Sequence, residues 1–227
     1  MKTAVLLSGC GVFDGTEIHE AVFSLLALAQ NNLDCVCVAP DIQHNHVLNY
    51  TNGEELNEER NVLLESSRIA RGAIVSLADL HYNEISSLVI PGGFGVAKNL
   101  SDWAFKGPEG HVLEEVKDLI LHCVENKKPI VALCISPTLI AKCLSASKFE
   151  PQLTLGTTAD KSEYSIAEIN QAITSLGAKT NEKTIQEICV DEDLKIISAP
   201  CYMMDASIEE VYENVKLAIE KLANFLA

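Results

Sequence analysis

A chain of 227 residues, 48% apolar and 22% charged, is long enough and apolar enough to bury a full core. Its formal charge of −15 comes with no run of Lys or Arg to displace counterions, which excludes nucleic acid and anionic membrane surfaces as partners. No stretch reaches the roughly 18 apolar residues of a membrane span, and the opening Met1-to-Cys10 segment reads as neither a signal peptide nor an arginine-rich transit peptide.

Taken in order, a short apolar run at 3–8 predicts the first strand. A glycine-rich turn follows, and then Ile18, Ala21, Val22, Leu25, Leu28 and Ala29 recur at helical spacing over 16–30. Residues 33–39 form a β-branched run that stops at Pro40, completing a βαβ unit. The polar stretch 41–60, with a turn at Asn52-Gly53, reads as an insertion. Beyond it the pattern predicts a short helix over 61–70, an apolar stretch at 73–77 and a strand over 87–90 ending in Pro91-Gly92-Gly93.

Val112, Val116, Leu119, Ile120 and Cys123 mark an amphipathic helix closed by 126–129, and 130–133 is the next strand. Cys134-Ile135-Ser136-Pro137 then opens a helix at a position where proline is tolerated. A helix over 166–176 follows. A hairpin pairs 187–190 with 195–198 around Asp191-Glu192-Asp193, and Ile208, Val211, Val215, Ile219 and Leu222 lie on a closing helix. Apolar strands alternating with helices predict one α/β domain over 1–227, a flavodoxin-like three-layer sandwich whose mostly parallel sheet carries helices on both faces.

Eight cysteines, several inside apolar runs (Cys35, Cys37, Cys123, Cys189), read as reduced thiols of a cytoplasmic protein. No CxxC or Cys/His cluster points to a metal, and no cofactor motif is present.

Ligands of open α/β sheets bind beyond the carboxyl ends of the strands, where this chain places Gly, Pro and Cys. A cysteine between a buried strand and a helix start lies near unpaired N–H groups and the positive end of the helix dipole, which favour a thiolate; Cys134 is therefore expected to have a lowered pKa. Gly92 and Gly93 are candidate oxyanion donors. Glu17 and Glu20 share one side of the first helix, and Glu17 also fits a capping box from Asp14. Cys10 and Cys201, both at strand ends, are candidate neighbouring thiols, whereas His19 reads as facing solvent or packing.

The motifs from Ser8 to Ala21 (SGCGVFDGTEIHEA), from Pro91 to Leu100 (PGGFGVAKNL) and at Cys134-Ile135-Ser136-Pro137 together resemble the ElbB family, also called enhancing lycopene biosynthesis or sigma cross-reacting protein. That family is similar to the PfpI and Parkinson-linked deglycase superfamily, with the fold of class I glutamine amidotransferase domains. The resemblance implies Cys134 as nucleophile, Gly93 and the Ile135 N–H as oxyanion donors, and Glu20, with Glu17 as alternative, as the acid touching the sulfur. The chain departs from its peptidase-like relatives in having Ile135 after the nucleophile instead of His, and from its deglycase relatives in having Gly156 where they carry His. Proteolysis and amidotransfer are thereby disfavoured.

The expected activity is a cofactor-free, glutathione-independent conversion of small reactive dicarbonyls such as glyoxal to hydroxy acids, extending to removal of early glycation products. The alternatives are a cysteine redox sensor and a small-molecule-binding accessory protein of isoprenoid metabolism. Relatives form homodimers, so a homodimer is expected.

Overall fold

In the computed structural model, which describes residues 1–227, the first strand alternates between two buried layers. Ala4 and Leu6 enter one apolar cluster, Val5 and Leu7 the other. Burial on both sides at a period of two is what a parallel strand covered by helices requires. The split recurs in Leu88 and Ile90 against Val89, and in Ile130 and Ala132 against Val131 and Leu133.

The elements in chain order are β1 (Lys2–Leu6), α1 (Ile18–Gln30), β2 (Cys35–Ala39), α2 (Val62–Ile69), β3 (Ile74–Ser76), β4 (Ile85–Ile90), α3 (Phe94–Lys98) and α4 (Trp103–Lys106). Then come α5 (Glu114–Glu125), β5 (Ile130–Leu133), α6 (Ser136–Leu144), β6 (Gln152–Leu153), α7 (Ile166–Ser175), β7 (Lys179–Thr180), β8 (Cys189–Asp191), β9 (Ile196–Ala199) and α8 (Ile208–Leu226). Seven strands form one sheet in the order β3-β2-β1-β4-β5-β9-β8. All its pairs are parallel except β8 with β9, and β6 and β7 make a separate parallel pair.

Helices α1, α2 and α8 cover one face through Ala21, Leu28, Val62, Val215 and Leu222, while α5, α6 and α7 cover the other through Leu119, Ile120, Leu139 and Ile173. This is the flavodoxin-like three-layer architecture that the alternation predicts. The anticipated hairpin is the β8–β9 pair, shifted by one or two residues because the buried Asp191 carboxylate accepts from the N–H of Leu194 and of Gln152, both at 2.9 Å. The two-residue strands β6 and β7 and the short helices α3 and α4 are too brief to show a period in the sequence.

Residues 41–60 add no strand to the sheet. They are tied by single bridges at Gln43–Asn61 and Leu48–Glu55, with the expected turn at Asn52-Gly53, where Gly53 has φ +76. The buried Asp14 carboxylate holds this segment against the loop after β1, accepting from the Leu48 N–H and the Tyr50 hydroxyl, both at 2.8 Å. Asn99 Oδ1 also accepts from the Asn45 N–H at 3.0 Å. Losing two bonds to a carboxylate should cost about 1–3 kcal/mol. Asp14→Ala is accordingly expected to lower the thermal midpoint by several degrees, roughly 2–4 °C per kcal/mol at this length. An unchanged melt would mean the segment is held by other contacts.

Candidate active site

The loops after β1, β4, β5 and β9 emerge at one end of the sheet because these four neighbouring strands are parallel. Cys134 follows β5 with φ +57, the left-handed region rarely taken by a side-chain-bearing residue. Its N–H donates to Ala199 O at 2.9 Å, Ser136 Oγ donates to Pro91 O at 2.9 Å, and Pro137 stands in the first turn of α6. These ties hold the thiol between the start of α6 and the turn after β4.

The N–H groups of Gly93 and Ile135 and the Glu20 carboxyl are the polar groups nearest the sulfur. Glu20 is wholly buried. Its Oε2 accepts from the Gly92 N–H at 2.8 Å, and its Oε1 accepts weakly from the Tyr202 N–H at 3.4 Å. Burial, then the charge of Glu17, raises the Glu20 carboxyl to about 8, so it holds its proton at neutral pH.

Of the two acids on α1, Glu20 therefore reaches the sulfur. Glu17 is the helix cap, its Oε2 accepting the Glu20 N–H at 2.7 Å, and the capping box anticipated from Asp14 gives way to this arrangement because the helix begins at Ile18.

Gly92 plays a different part from the one expected. Its N–H is spent on Glu20, leaving none for an oxyanion, and its value lies in having no side chain. A Cβ there would overlap Cys134 Cβ and stand 2.7 Å from Glu20 Oε2 and 2.9 Å from Cys134 Sγ. Gly93, at φ +95, presses on the backbone of Gly15 and Glu17, so it too must lack a side chain.

The expected lowering of the Cys134 pKa is also overturned. Burial first and the Glu20 charge second push the thiol well above its usual range, against the opposing pull of the two amides. The strand-to-helix turn brings N–H groups near the sulfur, but Cys134 as a residue is only 6% exposed.

Cys10 does not neighbour Cys134. It turns toward α2, where Glu65, Arg68 and Asp14 set its field, and the adjacent Gly9 N–H donates to Ser66 Oγ at 2.9 Å. Cys201 does lie close, wholly buried at φ +47, near enough for its thiol and that of Cys134 to feel each other's charge, with its own N–H donating to Asn214 Oδ1 at 3.0 Å.

Cys134 lines a cavity of about 250 Å³ walled by Phe94, Ala97, Trp103, Tyr164, Ile169 and Met203, and Tyr202 also lines it. The Tyr202 hydroxyl lies 2.9 Å from His19 Nδ1. His19 faces solvent as expected, yet it is tied to a cavity-lining residue 183 positions away, which no local pattern reveals. No histidine bonds the Cys134 sulfur. At Gly156 a Cβ would overlap the Met204 sulfur, so that thioether fills the place where a side chain would start. No group of three or more His, Cys, Asp or Glu side chains is arranged to hold a metal ion.

No family model matches the chain. It is 37% identical over 223 residues to the rat "ES1 protein homolog, mitochondrial" and equally to the human "glutamine amidotransferase-like class 1 domain-containing protein 3, mitochondrial", covering 97% of this chain and 82% of each relative. A solved structure from Ehrlichia chaffeensis, described as an isoprenoid biosynthesis protein with an amidotransferase-like domain, superposes over the whole of both chains with a TM-score of 0.90 at 33% identity. Glyoxalase III of Candida albicans superposes over 97% of each chain with a TM-score of 0.61 at 12% identity, and Drosophila melanogaster DJ-1beta over 99% of this chain and 95% of its own with 0.56 at 15%, likenesses of fold alone.

The mitochondrial names of the curated relatives overturn the cytoplasmic expectation. Unpaired thiols separate reducing from oxidising surroundings and do not tell one reducing compartment from another.

Proposed function

The chain belongs to the ES1 family of glutamine amidotransferase-like class 1 domain proteins, and from that footing we propose that it is a cofactor-free, glutathione-independent glyoxalase-type enzyme with Cys134 as nucleophile. Within the family, the Ser8-to-Ala21 motif aligns it with the ElbB branch, and we read all 227 residues as one functional domain. The observation that carries the activity is Glu20, a wholly buried carboxyl that keeps a proton at neutral pH and stands, across Gly92, beside a cysteine lining an apolar cavity. Such a carboxyl can exchange a proton with a thiol or a carbonyl at small cost near pH 7.

The chemistry balances without an external oxidant. The Cys134 sulfur adds to the aldehyde carbon of a 2-oxoaldehyde while its own S–H proton passes to water, and the new alkoxide takes a proton from Glu20, giving a hemithioacetal and a carboxylate. Glu20 then carries the proton of that carbon to the oxygen of the adjacent carbonyl, forming an enediol. A proton from the first carbon's hydroxyl passes to the second carbon, leaving a thioester beside a carbinol. One carbon has been oxidised by the electron pair that reduced its neighbour. Water splits the thioester, releasing the thiol and the 2-hydroxy acid, and the proton lost by that acid on ionising restores the one Glu20 gave up. In this reading the N–H groups of Gly93 and Ile135, which face the sulfur, meet the negative charge that develops beside it.

The same addition would serve on early glycation adducts. The redox-sensor alternative loses its footing with an exposed, low-pKa thiol, since Cys134 is buried and its pKa is raised. An accessory role in isoprenoid metabolism draws on the name of the Ehrlichia relative and predicts ligand binding without turnover.

Glyoxal turnover without glutathione, with glycolate quantified, tests the proposal. Cys134→Ser is expected to lower kcat/KM by a factor of about 10³ or more, as loss of an activated nucleophile does. Equal rates in the two proteins would refute it.

A further inference from the structure

We propose that the ligand of the Cys134 cavity is an uncharged carbonyl compound with an apolar tail, an alkyl or aryl 2-oxoaldehyde, in preference to glyoxal itself or an anionic 2-oxo acid. This deepens the reading above and rests on Cys134 being the group that meets the carbonyl.

Size is the first argument. The cavity of about 250 Å³ corresponds to about eight water volumes at roughly 30 Å³ each, so it accommodates about eight to ten heavy atoms. Glyoxal has four and would leave about half of the space unfilled. Phenylglyoxal, with ten, and 4-methyl-2-oxopentanal, with eight, match it. A void beside apolar walls forfeits contact energy, so the walls favour the larger molecule.

Wall chemistry is the second. Beyond the sulfur, the space is bounded by Phe94, Trp103, Tyr164, Ile169 and Met203 over the small Ala97, a surface with aromatic faces and little to hydrate a polar ligand.

Charge is the third. No Lys, Arg or His lines the cavity. Lys98 lies over the Phe94 ring at 5.3 Å, but its Nζ donates to Phe13 O at 2.9 Å and it is not among the lining groups. The neighbouring cavity, which shares Val12, Tyr164 and Tyr202 as walls, is bordered by Glu17, Glu163 and Asp205. A carboxylate ligand would find no cation inside, and next door three acids against the single His19, so it would be an unpaired charge in an apolar space.

Trp103 is the only tryptophan of the chain and lines the cavity, so its fluorescence reports occupancy without turnover. In Cys134→Ser, which blocks covalent chemistry, 1-phenylpropane-1,2-dione is expected to change that signal saturably. Glyoxal and phenylpyruvate should bind at least tenfold more weakly. In the wild type, kcat/KM for phenylglyoxal should exceed that for glyoxal at least tenfold, with the 2-hydroxy acid measured as product.

Phenylpyruvate or glyoxal binding as tightly as the neutral dione, or no response to the dione, overturns the inference. Glyoxal preferred in turnover overturns it as well and leaves the glyoxalase reading standing. Selective binding of the dione with no turnover of any aldehyde sinks the glyoxalase reading and sustains the ligand class.

Discussion

Glu20→Gln is expected to make the protein progressively more stable than the wild type as the pH rises from 5 to 8. The native carboxyl sits near 8 while the unfolded one titrates near its ordinary value of 4.5. Between those values the folded state binds one more proton than the unfolded state, so the contribution of Glu20 is complete below the unfolded pKa and is lost as pH climbs through the folded one.

At about 1.4 kcal/mol per pKa unit, the swing is on the order of several kcal/mol. Glutamine keeps an oxygen for the Gly92 N–H and carries no titratable proton, so the variant should fold and lack this dependence. Thermal unfolding of both proteins at pH 5, 6.5 and 8 reads the effect as a widening difference in midpoint. The comparison is made as a difference because burial lowers the pKa of His44 and His122, which bend the absolute profile the opposite way in mild acid. A difference that stays constant with pH would show that Glu20 is ionised at neutrality. The same variant should lose about 10²-fold or more in turnover if the carboxyl is the proton carrier.

Gly92→Ala should damage the site more than its single added methyl suggests. The new Cβ overlaps Cys134 Cβ and crowds both the sulfur and Glu20 Oε2, and none of these can retreat, since Cys134 and Glu20 are buried and bonded to backbone. Overpacking of this kind costs about 1–3 kcal/mol. The expected result is a melting point lowered by several degrees, at roughly 2–4 °C per kcal/mol, with turnover lost as Cys134 and Glu20 are pushed apart. Gly53→Ala supplies the contrast. That glycine has φ +76 but nothing within 4 Å of an added Cβ, so only backbone strain is felt there and turnover should persist. Equal stability of Gly92→Ala and the wild type would contradict the close approach of Gly92 to the Cys134–Glu20 pair.

The parts of this protein that a linear reading recovers are those whose causes are local. Strand and helix periods place β1, α1, β2, β5, α6 and α8 within a few residues, because burial on one or two faces imprints itself on neighbouring positions. Cys134 stands out in the same way, as a cysteine between an apolar strand and a proline-opened helix. Elements of two to five residues, β6, β7, α3 and α4, leave too short a trace.

Gly92 was legible as a candidate oxyanion donor, yet its close approach to Cys134 and Glu20 was not. Its neighbour Glu20 is 72 positions away, and the Tyr202 N–H that also bonds Glu20 is 182 away. Cys10 and Cys201 looked alike along the chain, and only the packing of the first loop toward α2 separates them.

By itself, then, the sequence determined the class of fold, the order of its layers and the presence of a cysteine at a strand-to-helix turn with amide donors beside it, all consequences of short-range pattern and turn chemistry. Tertiary structure alone decided which acid meets that cysteine, that the acid keeps its proton while the thiol is raised in place of lowered, and how large and apolar the space before the sulfur is. Desolvation and through-space charge set those properties, and both depend on how completely distant segments close over the site.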